Sequence, residues 1–300
     1  MSAPRATSRR RSPGWLFVAP ALALIAAFFF VPVVASVLLS FTDFDIYSVA
    51  NLDNLRIVGP ANYRHLFDDG LFWIAVRNTL YFVVVAAPLS IAVSFGAALL
   101  LNTPLTRLKP AFRAALFLPV VTTLVAVAVV WRYLLSTRYG LINYALGRLG
   151  IAPVDWLGDP HWAMPAIILF AVWKSFGYNM LILFAGLQGI PQELYEAARI
   201  DGATRIQQLR YITLPSLAPI LLMVSILTIA GHFQLFAEPY VMTQGGPLQS
   251  TVSVLYFMYE EGFKWWNLGS ASAVAFVLFL FIFAVTALQL RLAPRRALAG

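Results

Sequence analysis

Five long stretches of this chain carry no Asp, Glu, Lys or Arg: Ser12–Thr42, Asn78–Thr106, Ala114–Trp131, Tyr211–Ala237 and Trp265–Leu290. A sixth, His161–Gln188, is interrupted only by Lys174. A helix needs about 20 apolar residues to cross the hydrocarbon core of a bilayer. Inside it, a helix satisfies every backbone N–H and C=O within one segment. The pattern predicts an all-α polytopic membrane protein with six transmembrane helices, near 15–40, 78–102, 112–135, 162–187, 217–240 and 268–290. Composition agrees: 60% of the 300 residues are hydrophobic and 11% are charged, against about 25% charged in soluble domains. The first stretch follows Arg9–Arg11, as a signal peptide would. Its apolar core, Trp15 to Leu39, exceeds the roughly 7–15 residues of a cleaved h-region. It is expected to remain as an anchoring span.

Basic loop residues set orientation. Thirteen of the 21 Lys and Arg fall at the N-terminus, at 107–113, at 199–210 and at the C-terminus; five fall in the alternate loops. Both termini are therefore expected in the cytoplasm (N-in, C-in), in a multi-pass protein of the plasma or inner membrane. The chain divides into a basic tail (1–14), a six-helix permease-like membrane domain (15–290) with an inner loop at 188–216, and a short C-terminal tail (291–300).

Several function classes are excluded. No cysteine is present, which removes thiol nucleophiles and Cys-ligated metals. His65, His161 and His232 fit no metal-binding pattern, so neither a metal nor a catalytic residue is expected. A P-loop needs Gly-Lys, and none of Lys109, Lys174 and Lys264 follows a glycine. No Asp or Glu lies within a span away from its edge, unlike the proton relays of ion-coupled secondary transporters. The net charge of +8 fits membrane orientation, with lipid rather than nucleic acid as the contact.

The 188–216 loop has local order of its own. Pro191 suits the first turn of a helix, and Glu193 and Glu196 sit where a helix dipole favours negative charge. Leu194, Ala197, Ala198 and Asp201 recur at helical spacing and share a face. Gly202 can adopt positive φ and end the helix. A second amphipathic segment, with Ile206, Leu209 and Ile212, leads to Pro215. Pattern alone leaves two readings open: a helix lying on lipid, or a docking element whose small alanines admit another protein's backbone.

Glu196-Ala197-Ala198, then Gly202, then Ile212-Thr213-Leu214-Pro215 resembles, without a gap, the EAA loop of binding-protein-dependent ABC importer permeases. Gly186–Tyr195, Tyr240–Pro247, Gly140–Asn143 and Trp131-Arg132 resemble the carbohydrate branch, that of the maltose, multiple-sugar and glycerol-3-phosphate importers. The resemblance covers roughly 15–290 and implies the type I importer transmembrane fold. It implies that Glu196, Ala197, Ala198, Asp201 and Gly202 couple the chain to a cytoplasmic ATPase subunit, with Glu196 a polar anchor and Gly202 the turn. It also implies partners: a second, homologous permease, two copies of the ABC ATPase, which bind ATP and Mg, and an extracytoplasmic solute-binding protein. No cofactor is expected on this chain itself.

The same resemblance places the substrate path on spans four and five. Polar residues inside spans are functional candidates by default. Those expected to line the path are Trp173, Lys174, Tyr178, Asn179, Thr228, His232 and Gln234. Aromatic rings, Phe233 and Phe236 included, can cover the C–H face of a sugar, while Asn179, His232 and Gln234 can bond hydroxyls. Against this, Ser225 and Thr228 can bond their own helix or a neighbouring one, and His232 can serve packing alone. Lys174, roughly 18 Å deep at 1.5 Å per residue, is expected to meet water, a partner carboxylate or an anionic solute. Arg132 is near enough to the surface to snorkel. Trp265-Trp266 reads as an interface anchor. Thr243–Pro247 has turn chemistry, which suits either a plain loop or a seat for a docked binding protein.

Overall fold

The structure is a computed structural model that describes residues 14–103 and 108–293. Residues 1–13, with Arg107 and the basic Arg295 and Arg296, lie outside the described residues. Among the described residues five helices are long and apolar enough to cross a membrane, or six if one bent pair is counted as a single span.

Span one, α1 (Phe17–Leu39), leans on the last span with its final third. A short outer helix, α2 (Ala61–Asp68), precedes α3 (Gly70–Asn102). α3 begins well before 78, because Asp69 caps it by accepting from the Leu71 N–H at 2.7 Å, and Arg77 sits inside the helix. The expected third span is not one helix. α4 (Lys109–Val121) and α5 (Leu124–Leu134) meet at 97° across extended Thr122 and Thr123. Pro119 removes one rung of the ladder just ahead of the break. α6 (Leu141–Arg148) lies in the following outer loop. α7 (Pro160–Gln188) starts on Pro160 behind an Asp159 cap, whose carboxyl is held below its ordinary value by the His161 N–H and then by the His161 ring.

The inner loop forms α8 (Gln192–Ile200), which leads to α9 (Arg205–Phe233), continuous through a wide turn at Leu209–Thr213. Span five thus begins earlier than 217 and stops at Phe233. The outer end then breaks at Gln234–Phe236 and restarts as α10 (Ala237–Met242). α11 (Val254–Tyr259) and α12 (Leu268–Leu292) complete the chain.

α3 and α7 form the central pair, with α4 and α9 against them. Burial of apolar surface does not drive helices together in lipid, so close fit and interhelical hydrogen bonds carry the packing. Ser94 on α3 donates to the Phe176 carbonyl at 2.9 Å. At Gly177 on α7, an added Cβ would run into the Leu116 carbonyl oxygen of α4. One cluster joins Phe72, Ile167, Phe170 and Val274; another, toward the inner end, joins Ala98, Met180, Leu183 and Leu217.

The outer segment after α10 has turn chemistry, with Gln244, Gly245, Leu248 and Gln249 at positive φ and a cis Gly246–Pro247 bond. It is fastened to its own chain. Asn78 donates to the Gln249 and Val252 carbonyls at 2.8 and 3.0 Å, and Thr79 accepts from the Val254 N–H at 2.9 Å.

Candidate functional site

Two places carry chemistry. The first is the inner helix α8, which has no buried residue. Pro191 stands one position outside the helix as its N-cap, rather than in the first turn. Ala203 N–H bonds the Ala198 carbonyl at 2.8 Å and Gly202 N–H the Arg199 carbonyl at 3.1 Å. With Gly202 at φ +76, this paired closure is the Schellman stop. Thr204 and Gln207 then form a capping box that opens α9.

The expected shared face of α8 is divided. Tyr195 and Ala198 are half-buried toward the chain's own body, while Leu194, Glu196, Ala197, Asp201 and Gly202 are exposed and Ile200 is 86% exposed. Successive helical residues turn by about 100°, which separates Ala197 from Ala198. The sequence reading missed Tyr195. Its hydroxyl meets the Thr213 hydroxyl at 2.9 Å, tying α8 to the base of α9. A tyrosine three residues before the inward alanine was the available signal.

The second place is a cavity of about 440 Å³ between α3, the α4–α5 break, α7, α9 and α10. It gathers Lys174, Tyr178 and Asn179 from α7, Thr228 and His232 from α9, and Gln234 from the break that follows α9. Asn179 donates to Thr228 Oγ1 at 2.9 Å, so Thr228 both joins the helices and lines the cavity. His232, 9% exposed, stacks on Phe82 with ring centroids 5.3 Å apart. Its Nδ1 lies 2.7 Å from the Thr228 carbonyl, and its buried Nε2 has no partner. Tyr178 is 50% exposed and Gln234 is exposed. Thr122, Ser175 and Glu238, the last at the start of α10, complete the polar residues of the lining.

Lys174 lines the cavity but turns its ammonium to backbone. Its Nζ donates to the carbonyls of Pro119, Val120 and Thr122 at 2.6, 3.1 and 2.9 Å. The ammonium caps the C-terminal end of α4, where free carbonyls in a membrane need a donor. Trp173 turns away from the cavity and packs between Trp131 and Phe170, at 5.4 and 6.4 Å. Phe233 packs on Phe281 and Phe236 on Tyr240 and Tyr259, also outside the lining. Ser225 bonds the Leu222 carbonyl of its own helix at 2.8 Å. Arg132 donates to the Val241 carbonyl at 3.2 Å.

Known proteins share this architecture. Residues 105–298 match the family model described as the binding-protein-dependent transport system inner membrane component. The chain is 36% identical over 288 residues to the lactose transport system permease protein LacF of Rhizobium radiobacter, with 94% of each chain covered. It is 33% identical over 286 residues to the trehalose/maltose transport system permease protein MalF of Thermococcus litoralis, again with 94% of each covered. The fold matches a chain of a bacterial alginate ABC transporter, solved in complex with an alginate pentasaccharide-bound periplasmic protein, at a TM-score of 0.79, 20% identity and 95% coverage of both chains. Matched by the family model over well over half its length, and aligned nearly end to end with these permeases, the chain belongs to the binding-protein-dependent transport system inner membrane components, the permease subunits of ABC importers.

Proposed function

We propose that this permease forms half of the path by which a carbohydrate crosses the membrane, coupled through α8 to a separate ATPase subunit. The observation that carries this reading is the unbroken helix Arg205–Phe233. It starts at the exposed inner helix and ends in the polar cavity. At 1.5 Å per residue its 29 residues make a rod about 43 Å long. The bond between Tyr195 and Thr213 fixes α8 to the foot of that rod. A push on α8 therefore reaches Thr228 and His232 along one continuous helix.

In this mechanism two ATPase subunits bind and hydrolyse ATP with its Mg, and this chain supplies no residue to that chemistry. Glu196, Ala197, Asp201 and Gly202 meet the ATPase cleft, and Ala198 supports them from behind. A second, homologous permease closes the open side of the cavity. A solute-binding protein delivers the sugar from outside. ATP-driven closure moves α8 and tips α9, which opens the cavity outward. Tyr178 supplies a ring face, while Asn179, His232 and Gln234 supply hydrogen-bonding groups. The names of LacF and MalF support a sugar as the solute.

Reconstitution with the partner subunits tests this. Gly202→Asp and Glu196→Lys are expected to insert normally but to abolish ATP-driven uptake. Normal assembly with the ATPase and normal uptake in both variants would contradict the reading. The solute held by the co-purified binding protein identifies the sugar.

A further inference from the structure

The cavity wall holds two formally charged side chains, Lys174 and Glu238. An ammonium has three N–H donors, and Lys174 directs hydrogen bonds to three carbonyls at the end of α4. That end is also the negative pole of a helix, so the positive charge is matched where it sits. An anionic solute entering the cavity finds no uncommitted N–H on this lysine. Glu238 offers it no positive charge in either protonation state.

Tyr178 and Gln234 carry donors of their own, but the deepest groups, His232 and Asn179, lean toward acceptance. A carbonyl can only accept, so the 2.7 Å contact with Thr228 places the hydrogen on His232 Nδ1. In the neutral ring, the unpartnered Nε2 is then a lone pair seeking a donor. Asn179 already spends an N–H on Thr228. Hydroxyl groups bring donors to such a wall. Carboxylates, sulfonates and phosphates bring only more acceptors.

We propose that the cavity takes uncharged, hydroxyl-rich solutes and disfavours anionic ones, because Lys174 serves as a positioning residue for the broken third span rather than as an anion receptor. This rests on the carbohydrate reading above and narrows it, setting aside phosphorylated polyols.

The chain has no cysteine, so Gln234→Cys places one thiol on the exposed cavity wall. The assembled importer carrying it is treated with neutral hydroxyethyl and anionic sulfonatoethyl methanethiosulfonate. The anionic-to-neutral rate ratio is normalised to the same ratio on a free small thiol. The expected ratio is below one, by roughly threefold to tenfold. Lys174→Met is expected to move it by less than about threefold. A normalised ratio above one, or a fall of about tenfold or more in Lys174→Met, overturns the proposal. If Lys174→Met does not assemble, the first ratio decides by its sign. Sugar uptake by the complete importer is read separately. Failure to take up any sugar sinks the carbohydrate reading and this inference with it. Sugar uptake together with a ratio above one sinks the inference alone.

Discussion

A side chain in lipid is judged by which backbone groups it satisfies, and three residues here are explained on those terms. Lys174 closes a helix end that Pro119 and the two threonines open. Gly177 lets α7 approach the Leu116 carbonyl, and Gly202 takes φ +76 with nothing within 4 Å of a would-be Cβ. The two glycines therefore fail differently. Gly177→Ala must displace backbone and is expected to lower the melting temperature of the assembled complex. Gly202→Ala meets only the left-handed conformational cost of roughly 1–2 kcal/mol, confined to the inner loop. It is expected to weaken uptake while leaving that melting temperature within a few degrees of the parent. A larger loss of thermal stability in Gly202→Ala than in Gly177→Ala would contradict this. Asn179→Ala removes a bond from one helix to Thr228 on another, worth about 0.6–1.7 kcal/mol in membrane proteins. Uptake is expected to fall more than ATPase docking does, and unchanged uptake across solute concentrations would count against the contact.

At the scale of elements, the proposed coupling requires α9 to act as one continuous helix. Inserting one alanine after Leu221 would rotate everything beyond it by about 100°. Thr228 would leave Asn179, while α8 and its Schellman stop stayed intact. The expected outcome is normal ATPase binding with uptake lost, and retained uptake would show that the register does not matter. One helix end was legible in the sequence from its stop signal, at Gly202, whereas the Asp159 cap at the start of α7 was found only in the structure. The break at Thr122-Thr123 was not legible, since no charge marks it and both flanks are apolar. The outer end of span five was hidden for the same reason, as a charge-free run passes straight through Gln234–Ala237. Asn179, Thr228 and His232 were legible as cavity candidates because polar residues are rare in spans, although their packing roles were equally open in the sequence. The role of Lys174 was not legible, because its partners are carbonyls that no side-chain pattern records. Trp173 was misplaced because adjacent helical positions point in different directions.

At the scale of the whole molecule, the proposed function makes this chain one half of a pathway. The 18-residue window of α1 is buried nowhere against the rest. The cavity at Asn179 and His232 is only partly enclosed, and α8 has no buried residue of its own. Lipid can cover the first of these; the capped, exposed inner helix at the foot of α9 is where the proposed ATPase contact falls. The most direct measurement uses the absence of cysteine once more. Ala197→Cys puts a single thiol on the outward face of α8, to be reacted with a membrane-impermeant maleimide in the isolated chain and in the complex with its ATPase. The account predicts rapid labelling in the isolated chain and strong protection in the assembled complex. Equal labelling of the two, with the complex intact, would contradict it.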